Sequence, residues 1–482
     1  MFNALLMQMT PLKLQLALQA GAFLLIFGLV FVWFYRSHFQ ESEERRLFWW
    51  TILLVAVIAA AKFGIFYLSK GYLPDRALFY ALPSPKFSGL LWLFPLAASL
   101  FALYRWSPEW KDWSSRKFLA ALWVIFVLFS LGVAGLREGS ATIRDPFTRT
   151  DWEYSGALPL VGTAPEFLAA YTSIQSRLPA HAQTHPPGYI LILYFLQRIF
   201  HANLLWLAFL TIILGGLFIV PVYYFWRWFF SEEETRVGLS VLIFIPSIVL
   251  FSATSMDFFM LLFFWSALAA VYEGWKRDGF IAFLGGLLAG LALFMNFLFL
   301  LFGLVLAFFF VRLLMSLSRE EKKILLVRGG ISLVGFLSFA GLLYFGTGYS
   351  FVENFFLANS VHHTVLDTGA SSLVLYGIFA LVNLIAFVIY LGLPIGLLLK
   401  NRARAIFSSV DWLVLLPLAA VAFLIISGLF QGEVERLWLF LIPLFVAPLI
   451  HALRDSRVRA SALVSLLVFQ AVVMQILFYT YW

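Results

Sequence analysis

The sequence predicts an all-α polytopic membrane protein, and three observations carry that expectation. Of 482 residues, 62% are hydrophobic, 19% aromatic and only 12% charged, and mean hydropathy is +0.93. A soluble globule holds roughly half apolar and a quarter charged residues. Runs such as 14–35, 47–68, 118–136, 324–346 and 372–399 approach or exceed the ~20 apolar residues that a helix needs to cross a bilayer core. Backbone polar groups in lipid must pair within their own segment, so these runs are helices and not open sheet.

Taken in order, fourteen candidate spans fall near 14–35, 47–68, 87–104, 118–136, 203–226, 237–253, 257–275, 280–295, 297–311, 324–345, 372–399, 412–429, 437–452 and 460–479. With the shorter ones read as half-helices, the expectation is about 12–14 crossings. The first run is long and lacks a small-residue cleavage site behind it, so it reads as a retained span rather than a signal peptide. No repeat, low-complexity tract or linker divides the chain, and residues 1–482 are expected to form a single integral membrane domain.

Charge orients the spans. Arg319, Lys322 and Lys323, then Lys400, Arg402 and Arg404, then Arg454, Arg457 and Arg459 fall on one side, whereas the 347–371 loop on the other side has no basic residue. Inner loops are enriched in Lys and Arg, so the polar interval at 137–187, within a loop reaching 202, is placed on the extracytoplasmic face. The net charge of +8 then reads as an inner surface facing anionic membrane lipid, with no nucleic acid as partner. Zero cysteines exclude a disulfide framework, a thiolate metal site and a cysteine nucleophile.

The 137–187 interval carries Asp145, Asp151, Glu153, Glu166, His181 and His185 in a chain that is otherwise almost continuous hydrocarbon. Three of its carboxylates lie within nine residues. A carboxylate held against an apolar wall has a tunable basicity suited to acid/base work on hydroxyls, and Trp152 and Tyr154 are the expected wall. The solvated-loop reading of the same acids stays open. The interval ends in Thr184-His185-Pro186-Pro187-Gly188-Tyr189, followed by the short apolar run 190–196. Two prolines set an extended entry, Gly188 permits close backbone approach, and so short a run lies at the membrane interface rather than across it.

A carboxylate-bearing first large loop followed by His-Pro-Pro-small-Tyr resembles the GT-C superfamily of lipid-linked glycosyltransferases, of the protein O-mannosyltransferase and lipid A aminoarabinose transferase type. Two further stretches are similar: Pro246-Ser247 through Met256-Asp257, and the glycine-rich 285–292 run leading into Met295-Asn296-Phe297. The resemblance covers about 137–311. It implies a helical bundle with interfacial helices in its first extracytoplasmic loop, and transfer of a sugar from a polyprenyl-phosphate donor to a glycan, lipid or protein acceptor, with inversion. Residue by residue, it implies a loop aspartate as general base, Asp151 first and Asp145 next, with Glu153 beside them. His185 falls on the loop-to-helix motif and Asp257 at a span's outer end. Members often carry adjacent Asp-Glu, whereas Trp152 separates Asp151 from Glu153 here. The resemblance brings no cofactor and leaves a divalent metal open; no metal ligands are assigned.

Cations suited to the donor phosphate are Arg436, His362, His363 and Arg198. Arg offers a planar fork matched to phosphate oxygens, but an Arg at a helix mouth also anchors simply by reaching to headgroups. Adjacent histidines point about 100° apart on a helix, which argues against a shared metal. Lys62, deep in an apolar run, is given no role. Two rival readings are a transporter or lipid flippase, which requires broken helices in paired halves, and an O-antigen ligase or polymerase, which is expected to use a larger late loop.

Overall fold

The computed structural model describes residues 11–68, 78–365, 373–408, 411–430 and 432–480, with side chains left undescribed at 11–13, 68, 362–365, 373, 375 and 405–408. Those residues are helical almost throughout. Among the described residues, strand is confined to an antiparallel pairing of Leu82–Pro83 with Phe478–Tyr479. The expected all-α membrane architecture is therefore what forms.

Among the described residues, ten helices are long and apolar enough to cross a bilayer: Leu14–His38, Ser42–Tyr67, Leu90–Asp112, Ser115–Glu138, Leu204–Trp226, Phe258–Lys276, Phe299–Ser316, Arg319–Thr347, Tyr376–Arg404 and Ala460–Leu477. An eleventh crossing is counted if Glu232–Leu242 and Pro246–Ser252, bent by 58° at their junction, form one span. The remaining three of the fourteen expected segments are shorter apolar helices, Gly279–Met295, Trp412–Ser427 and Leu439–Arg454. At 1.5 Å per residue, a helix of that length reaches about 25 Å, short of a hydrocarbon core of about 30 Å.

The chain forms two compact units, and neither is contiguous in sequence. The first takes Met1–Ile143, Ser231–Ser255 and Ser371–Trp482; the second takes Arg144–Phe230 and Met256–Ala370. Because segments of the two units alternate along the chain, no linker or composition shift marks them, which is why the sequence reads as one domain.

In the first unit, the Ser115–Glu138 helix lies close to Leu93–Trp106. A Cβ at Gly132 would stand 2.7 Å from the Leu96 nitrogen, and one at Gly135 would enter the Trp92 ring. Buried Arg137 ties this helix to the chain's end, donating to Ser84 Oγ at 2.8 Å and to the Phe478 carbonyl at 3.1 Å. The long helix Leu373–Ser408 breaks at Gly392, whose φ of 109° is open to glycine alone at low cost. Gln470 satisfies the broken backbone, accepting from Leu393 N–H at 2.8 Å and donating to the Ile389 carbonyl at 2.6 Å. A helix can be interrupted at membrane depth when a side chain takes over the freed groups in this way.

In the second unit, small residues bring three helices into near backbone contact. A Cβ at Gly274 would lie 2.3 Å from Ala282, and one at Gly286 would lie 1.9 Å from the Ser332 carbonyl. Such close approach is how helices associate where lipid removes the hydrophobic drive. A buried polar chain fastens the loop to this frame. Tyr349 donates to Asn354 Oδ1 at 2.8 Å, Asn354 donates to Gln175 Oε1 at 2.9 Å, and Gln175 donates to the Gln183 carbonyl at 2.7 Å.

Candidate active site

The polar loop is folded, not trailing. Its first segment is the short helix Ser140–Thr148, on which Asp145 is half-buried and its carbonyl accepts from Thr148 Oγ1 at 2.8 Å. A tight turn follows, closed by Glu153 N–H donating to the Arg149 carbonyl at 2.8 Å. The turn separates neighbouring side chains sharply. Asp151 and Trp152 are exposed, Trp152 at 60%, while Glu153 and Tyr154 are buried at 6% and 3%. Of the expected apolar wall, Tyr154 is in place and Trp152 is not.

Backbone bonds then bring the loop's far end against this turn: Ala180 N–H donates to the Asp151 carbonyl at 3.1 Å and His181 N–H to the Trp152 carbonyl at 3.0 Å. As a result, His181 Nδ1 stands 3.3 Å from Glu153 Oε2. Glu153 Oε1 is buried and has no hydrogen-bond partner among the described residues. A buried carboxylate oxygen without a donor is costly, and such groups mark places where chemistry or a ligand supplies the missing contact.

His185 completes the cluster. Its Nδ1 lies 2.8 Å from the His181 carbonyl and 3.0 Å from Thr184 Oγ1. Donation from Nδ1 to the carbonyl sets the tautomer and makes Nε2 the ring's acceptor. Tyr154 packs edge-on to His185 at 5.8 Å and to Tyr189 at 5.2 Å. Behind them, Tyr171 donates to the Ala182 and His185 carbonyls at 2.8 and 2.9 Å. Burial pushes the Tyr171 phenol well above its usual range, so it remains a neutral donor that holds this backbone.

Within the second unit, the loop-to-helix motif lies against the end of the glycine-rich helix, and that end reaches Asp257. Pro187 leads into the Gly188–Phe200 helix, and a Cβ at Gly188 would stand 2.3 Å from the Phe294 carbonyl and 2.8 Å from Met295 Sδ. The next residue, Asn296, ends the Gly279–Met295 helix in an extended conformation. Its Oδ1 accepts from Leu298 N–H at 2.9 Å, and its Nδ2 lies 3.4 Å from Asp257 Oδ1. Asp257 and Asn296 are each 1% exposed.

The other expected site residues are Arg198, Arg436, His362 and His363. Arg198 is exposed near the far end of its helix, over the Tyr194 ring at 5.3 Å. Arg436 belongs to the first unit, where it is buried and ion-paired with Glu433. The side chains of His362 and His363 lie outside the described residues. Among the described residues no group of three or more His, Asp or Glu is arranged to hold a metal ion. Sequence reasoning noted His181 without giving it a role, and the signal for its partnership, a turn returning the chain onto Trp152, is tertiary. Asn296 was visible only as the residue after a glycine-rich helix.

No protein-family model matches this sequence, and no curated protein matches it either.

Proposed function

We propose that this chain is a membrane glycosyltransferase that moves a sugar from a polyprenyl-phosphate donor to an acceptor hydroxyl on the extracytoplasmic face, with inversion. The observation that carries the reading is the buried Glu153–His181 pair, walled by Tyr154 and flanked by His185, in the one long polar loop of an apolar chain. An acceptor hydroxyl is far too weak an acid to ionise near neutral pH. Its oxygen attacks the anomeric carbon while the bond to the lipid phosphate breaks, the departing phosphate keeps that electron pair, and a loop carboxylate takes the hydroxyl proton. Such general-base assistance contributes typically about a hundred- to ten-thousandfold.

Of the three carboxylates at 145–153, Glu153 has the best geometry for a base, being buried and oriented by an imidazole. Asp145, half-buried, is next, and exposed Asp151 is least favoured. His362 and His363 remain the candidates for the donor phosphate.

The test is sugar transfer by purified protein from a panel of radiolabelled polyprenyl-phosphate sugars, comparing wild type with Glu153→Gln, Asp145→Asn and Asp151→Asn. Glu153→Gln is expected to lower turnover at least about a hundredfold without loss of expression, and Asp151→Asn to have the smallest effect. Full turnover in all three variants would sink the base assignment. Two interrupted helices in the first unit, at 242–246 and at Gly392, favour a flippase as the second reading. Movement of a labelled lipid across liposomes without any transfer product would favour it over the first.

A further inference from the structure

Glu435 is the most unusual ionisable residue of the first unit. It is 2% exposed, in a one-turn helix entered through Glu433 in a left-handed conformation, φ 56°. Its Oε1 accepts from Tyr80 N–H at 2.6 Å, and its Oε2 is buried with no hydrogen-bond partner among the described residues. The same backbone stretch is held a second time. Lys62, fully buried in the Ser42–Leu68 helix, donates from Nζ to the Phe79 carbonyl at 2.6 Å and lies over the Phe79 ring at 4.9 Å. Phe79 in turn packs against Tyr390, two residues before the Gly392 break, at 5.9 Å.

We propose that Glu435 and Lys62 form a proton-operated fastening for the 78–81 segment, closed when the Glu435 carboxyl is protonated. Protonated, Glu435 is neutral and can hold the Tyr80 amide without a counter-charge, while Lys62 holds the neighbouring carbonyl. Once the proton leaves, a bare carboxylate lies in the interior with one oxygen unsatisfied, and the Lys62 ammonium, whose charge already acts on it, is drawn towards it. Lys62 cannot serve both partners at full strength. Loss of the proton therefore draws it from Phe79 and loosens the segment. A cation at Glu435 is the poorer occupant, because Lys62 already supplies positive charge.

The groups facing Glu435 can be named element by element, among the described residues. The Ser42–Leu68 helix brings Lys62, the 78–81 segment Tyr80, the Leu373–Ser408 helix Tyr390, and its own turn Glu433 and Arg436; Pro246–Ser252 and Leu439–Phe445 bring no ionisable group. Burial, with a smaller push from Glu433, drives the Glu435 carboxyl up to about 7, against hydrogen bonds from its own backbone amide and from Tyr80 and, more weakly, the Lys62 charge. A folded-state value above the unfolded one stabilises the fold at low pH, and that contribution is lost as pH rises through about 7.

The test needs no substrate and stands apart from the transferase reading. Infrared difference spectra of the purified full chain, titrated between about pH 5 and about pH 8, should show a protonated-carboxyl band that disappears near neutrality. The band should be missing in Glu435→Gln. In Lys62→Met it should persist to higher pH, since the cation that favours the carboxylate is gone. The thermal midpoint of the wild type should also fall over that range more than that of Glu435→Gln. No such band in the wild type, an unchanged band in Glu435→Gln, or an unmoved titration in Lys62→Met would each overturn the proposal. If Glu435→Gln does not fold, Lys62→Met still decides the matter.

Discussion

Gly188 shows how much can depend on one absent side chain. The His-Pro-Pro-Gly motif reads in sequence as an extended entry into a short helix; the short helix forms, but Pro187 before it is already in the α-helical region rather than extended. The reason for the glycine is a contact 106 positions away, where the Phe294 carbonyl occupies the space a Cβ would need. Gly188→Val is expected to cost about 2 kcal/mol or more, because the Phe294 carbonyl is backbone and cannot swing aside. The measurement is the thermal unfolding midpoint in detergent, which should drop clearly below that of the wild type. A midpoint equal to the wild type's would mean the motif does not rest on 294–295. Glu153 teaches a similar lesson from the opposite direction. Alternation of acids in Thr150-Asp151-Trp152-Glu153-Tyr154 was legible, yet which acid is enclosed depends on a turn closed by Arg149 and on the return of His181.

Among the helices, hydropathy alone marks the long apolar segments. The long apolar runs are helical; the capping boxes Ser231 with Glu234 and Ser318 with Glu321 that start two of the helices went unmarked by hydropathy. Breaks were less visible. Gly392-Leu393-Pro394 lies inside a run that hydropathy treats as one span, and the interruption is tolerable only because Gln470 comes from another helix to satisfy it. The glycines of 285–290 were noted as a motif, and the structure shows them as a packing face, with Gly286 against Ser332. Gly286→Leu should therefore force the Gly279–Met295 and Arg319–Thr347 helices apart and cost about 3 kcal/mol. Comparing it with Gly303→Leu, where nothing lies within 4 Å of the added carbon, isolates the effect. Equal unfolding midpoints for the two variants would refute close packing at this face.

Across the entire chain, the distribution of Lys and Arg makes a topological claim that can be checked directly. The native sequence has no cysteine, so single cysteines report without background. A cysteine at Leu160, 51% exposed in the polar loop, should react in intact cells with a membrane-impermeant maleimide. One at exposed Lys323 should react only after the cells are opened. The opposite pattern would place the candidate site in the cytosol and remove the extracytoplasmic transferase reading with it. The interleaving of the two units has its own cause in the chain path: residues 231–255 return to the first unit after the loop and two helices have been laid down in the second.

Hydrophobicity and its interruptions were sufficient to determine class, helical content and the segment in which polar chemistry collects. These follow from a solvent that forbids unpaired backbone, and that constraint acts residue by residue along the chain. Tertiary structure alone decided that Glu153 rather than Asp151 is enclosed, that His181 is its partner, that Asn296 reaches Asp257, and that Lys62 and Glu435 hold one buried strap. Each of those pairings joins residues at least 28 positions apart or depends on burial. Both are properties of where the folded chain returns, which no local pattern of residues encodes.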